Sequence, residues 1–273
     1  MERFSFRLLC TALFLLSLNV QAQKFHVGLT SGINTTFLLD KGLSEDPRYN
    51  ATYTYSFSPV GLSAGVDFSP RFGLQLESIL TNQEQIYEVI DIAKTVVGER
   101  HIDLQSINIP LLFKFMSGSS NRARMNFSLG PQLAILTEGK ETLEYSASTQ
   151  EIPSGVAVPI GATENGDGTY DVPAYPKTEL LSTSAENKLA EFKKSQVQFA
   201  ANLGVDIDIT SNLYLSALIR ANYSLTDMRN DELIELLKQS SNLADGLFGR
   251  RANLLVGLQV GVHYMIGGVW SGR

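Results

Sequence analysis

Eight segments of this chain alternate apolar and polar residues with a period of two, and that pattern limits the fold to strands with two unlike faces. Between residues 25 and 33, Phe25, Val27, Leu29 and Ile33 share one face, while His26, Gly28, Thr30 and Gly32 share the other. The same alternation runs through residues 60–68, 72–77, 107–115, 125–135, 197–209, 213–225 and 253–264. Most of these runs reach the roughly 9–11 residues that a tilted strand needs to cross a bilayer. Their connections alternate too. Short turns fall near residues 70, 120 and 211, and long connections cover about 35–58, 85–100, 138–195 and 226–250. Eight such strands joined this way predict an all-β, up-and-down antiparallel barrel, with its short turns at one end and its long loops at the other.

Which face points outward decides between two barrels. A lipocalin-like carrier would line a cavity with the apolar set and turn the polar set to water. Three features favour lipid outside. The polar set is mostly Gly, Ser, Asn and Gln, which suits a narrow interior. Phe25, Phe68, Phe72, Phe115 and Tyr264 gather at the short-turn end, as an interfacial aromatic girdle would. A soluble barrel also has no need for loops of such unequal length. The expectation is a transmembrane β-barrel of the outer membrane, in contact with its lipid and with its long loops extracellular.

The ends and the composition agree. In "MERFSFRLLCTALFLLSLNVQAQ", Arg3 and Arg7 precede an apolar run of about eleven residues, and Val20-Gln21-Ala22 supplies small residues for cleavage. Residues 1–22 therefore read as a cleaved signal peptide and 23–273 as the barrel domain. The single cysteine, Cys10, falls in the signal, so the mature chain is expected to hold no disulfide and no thiolate metal site. The net charge of -6 lacks the basic face that nucleic acid requires. No later window is apolar for long enough to cross a membrane as a helix.

The stretch "SINIPLLFKF" places Lys114 between Phe113 and Phe115. An isolated buried charge there would be costly. In a barrel, Lys114 faces the lumen together with Glu77, Arg124, Asp206, Asp208 and Arg220, and their mixed signs allow pairing. An eight-stranded barrel is wide enough only to be filled by its own side chains, so these charges are expected to fill the lumen. His26 and His263 should lie on adjacent strands, both facing the lumen near the periplasmic end. Leu104 and Ile107 differ in parity, which suggests a bulge near Gln105–Ser106.

The run "FHVGLTSGIN", then "INIPLLFKF" and "NFSLGPQLAIL", resembles the PorT-like outer-membrane β-barrel proteins of Gram-negative bacteria. That resemblance covers the strands but not the long loops. It implies an OmpA- or OmpX-like eight-stranded barrel, one branch of the family assisting protein export. It assigns no catalytic residue, metal or cofactor to this chain.

Other motifs are weaker. His101, with Asp103 near it, lies toward the loop end but has no serine motif beside it, so no enzyme is expected. "ENGDGTYD" carries Glu164, Asp167 and Asp171 but lacks calcium-loop spacing, and reads as a hairpin turn whose arms are "GVAVPIGAT" and "TYDVPAYP". Residues 178–195 and 231–246 have helical patterns, giving loops that contain short helices. The functional expectation is a filled barrel that presents large loops to a partner or surface ligand. The alternatives are a PorT-like secretion or transport accessory and, below it, a periplasmic lipocalin-like carrier.

Overall fold

The computed structural model describes residues 24–117, 122–154, 158–182, 192–232, 234–235 and 250–266. The signal-peptide reading of residues 1–22 and most of the turn near residue 120 lie outside them. No helix among the described residues is long and apolar enough to cross a membrane.

Eight strands close into one antiparallel ring. They are β1 (Lys24–Asp40), β3 (Thr54–Asp67), β4 (Phe72–Ile90), β5 (Val96–Met116), β6 (Ala123–Tyr145), β11 (Ser195–Asp208), β12 (Leu213–Ser224) and β13 (Arg251–Ile266). Each pairs with the next, and β13 returns to β1 with Gly28 opposite His263. A short helix, α1 (Lys41–Glu45), and β2 (Tyr49–Thr52) lie between β1 and β3. The Asp40 carboxylate caps α1 by accepting from the Leu43 N–H at 3.1 Å.

The faces fall as the alternation predicts. Val27, Leu62, Phe113, Leu203 and Val262 are exposed around the outside, whereas Gln75, Asn108, Gln132 and Ser216 are buried within. This orientation corrects the lipocalin-like alternative, because the apolar set of these strands lies on the outside of the ring. Phe72 and Phe115 meet edge-to-face at the short-turn end, with centroids 5.6 Å apart.

Three features differ from the sequence reading. First, much of the expected loop is strand. β4, β5 and β6 run for 19, 21 and 23 residues, about twice what a bilayer requires. The connection expected over 85–100 shrinks to residues 91–95. Above Ile107 on β5 the polarity inverts: Gln105, Asp103 and His101 face outward, while Leu104 and Ile102 are buried inside. Strand pairing continues, but an alternation sought with apolar residues outside no longer shows it. Second, that inversion accounts for the mismatched parities of Leu104 and Ile107. β5 itself keeps strict alternation through Gln105–Ser106, and the bulge residue is Thr137 on β6, since Gln105 faces Glu138 while Ser106 faces Leu136. Third, residues 178–182 of the expected 178–195 helix belong to β10 (Tyr175–Ser182), which pairs with the upper end of β6. The rest of that segment up to residue 191 lies outside the described residues. In the second expected helix, Asp231, Glu232, Ile234 and Glu235 are helical, and residues 236–249 are outside the description.

The "ENGDGTYD" turn is a hairpin. The Asn165 N–H donates to the Thr169 carbonyl at 3.0 Å, joining β8 (Thr163–Glu164) to β9 (Thr169–Val172). Gly166 and Gly168 both have φ of 84°, which suits glycine. The arms differ from expectation, because β9 pairs mainly with β7 (Ser148–Glu151), making a small three-stranded sheet.

A filled lumen and a braced crown

The six expected lumen charges form three ion pairs. Arg220 on β12 reaches Glu77 on β4 at 2.5 Å, on the opposite side of the ring. Lys114 faces Asp206 at 3.8 Å, and Arg124 faces Asp208 at 3.0 Å. The central pair is well supported by hydrogen bonds. Arg220 also donates to Gln259 at 2.8 Å and Gln132 at 3.3 Å, and Glu77 accepts from Gln75 at 2.5 Å. A buried ion pair is tolerated where such bonds satisfy its remaining donors and acceptors. The space left beside Arg220, Asn108 and Gln259 is only about 10 Å³, about enough to centre one water.

His26 and His263 stand below this pair, with ring centroids 6.1 Å apart. His263 lies between Ser63 and Ser216, at 3.2 and 2.9 Å, and stacks on Tyr214 at 4.6 Å. His26 meets Gln75 at 3.1 Å. Glycines make room for both rings. A Cβ on Gly28 would lie 2.2 Å from His263 Nδ1, and one on Gly65 would lie 2.5 Å from the His26 ring. The lumen glycines therefore follow from the bulk of the histidines.

Above the apolar band the interior changes character. Leu38, Leu43, Tyr87, Ile102, Leu104, Phe192 and Met228 form a buried apolar cluster. This is the polarity of a water-soluble domain, and it marks the part of the barrel that stands clear of lipid. We call it the crown. Segments 192–194 and 228–229 fold over it: the Lys193 N–H donates to the Met228 carbonyl at 2.9 Å, and the Leu136 N–H to the Lys194 carbonyl at 2.8 Å.

A second charge cluster braces the crown, and the sequence reading did not find it. Arg251 on β13 donates to Asp40 on β1 and to Glu141 on β6, each at 2.6 Å. Arg100 on β5 donates to Glu141 at 2.5 Å. All but Arg100 of these four are nearly inaccessible. Burial pushes the Glu141 carboxyl up, but Arg100 and Arg251 outweigh it and hold it down at about 2, against an ordinary 4.5. Burial and the Asp40 charge push the Tyr87 hydroxyl up to about 12, and that hydroxyl donates to the Leu38 carbonyl.

The depressed Glu141 value fixes a pH dependence. The carboxylate stabilises the crown fully above its unfolded value and loses that contribution as pH falls through the folded value. The expected result is a crown resistant to pepsin near about pH 4–5 that is cleaved as the pH approaches about 2, while the barrel persists. Uniform resistance across that window would exclude the linkage.

His101 sits 3.4 Å from both Glu84 and Glu99, one carboxylate facing each ring nitrogen. Donor atoms of Glu84, His101 and Asp103 lie within 4.8 Å of one another. The group is part-exposed on the outer wall, and the carboxylates facing the two ring nitrogens account for the position of His101.

A closed ring of eight amphipathic strands, with apolar side chains outside and polar ones within, defines a membrane-spanning β-barrel. Residues 21–230 match the family described as outer membrane protein beta-barrel domain, and the chain belongs to that family. It is an outer-membrane barrel. Solved structures similar to it include neisserial surface protein A, at 10% identity and TM-score 0.40, covering 88% of this chain and 96% of that one. OprG from Pseudomonas aeruginosa is similar at 10% identity and TM-score 0.40, covering 89% and 96%. The attachment invasion locus protein Ail of Yersinia pestis follows at 9% identity and TM-score 0.35, covering 89% and 97%. No curated protein matches the sequence.

Proposed function

We propose that this protein is a plugged barrel whose task is to hold a rigid, strand-built crown outside the cell for a partner protein or surface ligand. The observation that supports this most is the pairing of buried charges at two levels, Glu77 with Arg220 across the lumen and Arg251 with Asp40 and Glu141 in the crown, with a buried apolar cluster in that crown. A filled lumen suits solute passage poorly. A well-packed extension of the strands suits presentation of a fixed surface. The six lumen charges and the two histidines are, in this reading, structural filling, with no catalytic residue and no cofactor. The signal peptide over residues 1–22 and its cleavage belong to the same proposal, since the crown reaches the surface only by export.

The small sheet of β7, β8 and β9, which rises from the connection after β6, is the recognition element we favour. The test replaces residues 147–174 by a short turn and compares surface neighbours by proximity labelling on intact cells. The expected result is a changed set of labelled neighbours with the boiling-dependent gel shift of the barrel retained. An unchanged set would remove this sheet from recognition.

The narrower PorT-like reading, a secretion accessory, draws on "INIPLLFKF" and "NFSLGPQLAIL". In the structure these residues build wall. The β4–β5 ladder is interrupted at Ile109–Pro110, as a residue without an N–H requires, and the β5–β6 ladder at Leu111–Leu112, opposite Pro131 and Gly130; Gly130 approaches the Leu111 carbonyl so closely that a Cβ would lie 1.9 Å from it. The motifs thus describe architecture more than task. An export role remains the second reading.

A further inference from the structure

We propose that the outer wall where β3 parts from β4 seats one neutral glycolipid of the outer leaflet, its acyl chain in an apolar trough and its sugar in a polar cleft. The site begins at a dislocation. On β3, Pro59 and Val60 are both exposed, and the β1–β3 register skips between Thr30 and Gly32, which marks a bulge. Pairing of β3 with β4 ends at Gly61–Ile79, although both strands continue upward. Above that point Tyr55 and Phe57 form a ridge, 76% and 50% exposed.

The two sides of the ridge differ. On one side, Ile33, Val256, Leu258 and Val260 line a trough of about 500 Å³. It is continuous with the lipid-facing band below, where Leu29, Leu62 and Val262 are exposed, so hydrocarbon is its natural occupant. On the other side lies a cleft of about 390 Å³ lined by Asn82, Glu84, Asp103, Gln105 and Glu138. These residues form the first polar rows above the band: Leu80 gives way to Asn82 on β4, and Ile107 to Gln105 on β5. One ridge therefore borders hydrocarbon on one side and headgroup level on the other, which is the shape of an amphiphile.

Charge selects the headgroup. Glu84, Asp103 and Glu138 are acidic, and Lys140 at the edge of the cleft is paired with Glu179 at 3.3 Å. A phosphate would be repelled. Sugar hydroxyls suit carboxylates and amides, which accept and donate in turn. The Tyr55 and Phe57 rings offer apolar faces to the C–H face of a sugar ring. This inference rests on the outer-membrane placement and is independent of the recognition role proposed for the crown.

The test uses the full-length protein purified in detergent and native mass spectrometry. A glucosyl diacylglycerol is compared with a phosphatidylglycerol of the same chains. The expected result is retention of the glycolipid at least about tenfold more strongly, a difference well outside experimental scatter. Tyr55→Ala with Phe57→Ala, Asn82→Leu with Gln105→Leu, and Leu258→Trp, which fills the trough, should each abolish the preference or the binding. The boiling-dependent gel shift of every variant reports that the barrel is intact. Equal retention of the two lipids, or full glycolipid binding by intact variants, would overturn the proposal. So would free glucose competing as well as the whole glycolipid, because the trough would then contribute nothing.

Discussion

Arg251→Met should loosen the crown by about 3–5 kcal/mol, the usual consequence of removing one partner from a buried ionic cluster. Arg251 is the only residue joining β13, β1 and β6 in this cluster, through Asp40 and Glu141. Without it, Asp40 is left with no cation among its described ion pairs, and Glu141 keeps only Arg100. Both carboxylates would stay buried at 0–1% exposure. The loss should be local, because the lipid-embedded strands keep their own pairing and their own lumen network. Backbone amides near Leu38–Asp40 and Gly139–Glu141 should therefore exchange with solvent about a hundred to several thousand times faster, as about 1.4 kcal/mol per factor of ten implies. Amides at Leu62 or Val205 should be unchanged. Arg251→Lys should fall between the two, since an ammonium cannot reproduce the bidentate fork. If Arg251→Met exchanged like the parent chain, the brace would be ornamental and the rigid crown would need another cause.

This crown was the part of the fold least legible in the sequence, and the reason is physical. The lower strands were readable because lipid and lumen demand opposite side chains, and residues 107–115 and 125–135 show that demand plainly. Above Ile107 both environments change at once. Water lies outside, where Gln105 and Asp103 point, and the apolar cluster lies inside, where Leu104 and Ile102 point. The period of two survives but its sense reverses, so a search with one sense breaks off and leaves an apparent loop. The bulge at Pro59–Val60 was similarly hidden, because Val60, Leu62 and Ala64 keep one face below it and Tyr55 and Phe57 resume that face above it. Of the charges, those flanked by apolar neighbours were recognised: Lys114 sits between two phenylalanines. Arg100, Glu141 and Arg251 each follow a charged residue and read as surface, and Asp40 falls where an apolar run gives way to Lys41 and Gly42, as at the start of a loop. Only the folded chain shows Arg251 and Asp40, 211 positions apart, joined in the crown.

The second large effect belongs to Glu77 and Arg220, which cross the middle of the lumen. Arg220→Ala should destabilise the barrel by about 3–5 kcal/mol, again because a buried charge is left alone. Glu77 is 2% exposed, and its remaining support among the described bonds is Gln75. Removing both charges at constant volume, as in Glu77→Gln with Arg220→Met, should recover most of that loss, since a neutral pair needs no compensation. Unfolding in guanidinium from detergent micelles, run as a double-mutant cycle, would give the coupling directly. The same residues decide permeability. In planar bilayers the parent protein should carry no current, because the space beside Arg220 holds about 10 Å³. Glu77→Ala with Arg220→Ala removes the ion pair that crosses the ring from β4 to β12, and should admit small ions. A parent protein that conducts, together with a null coupling between these two residues, would mean that the lumen opens in the membrane. The case for a presenting barrel over a transporting one would then fall with it.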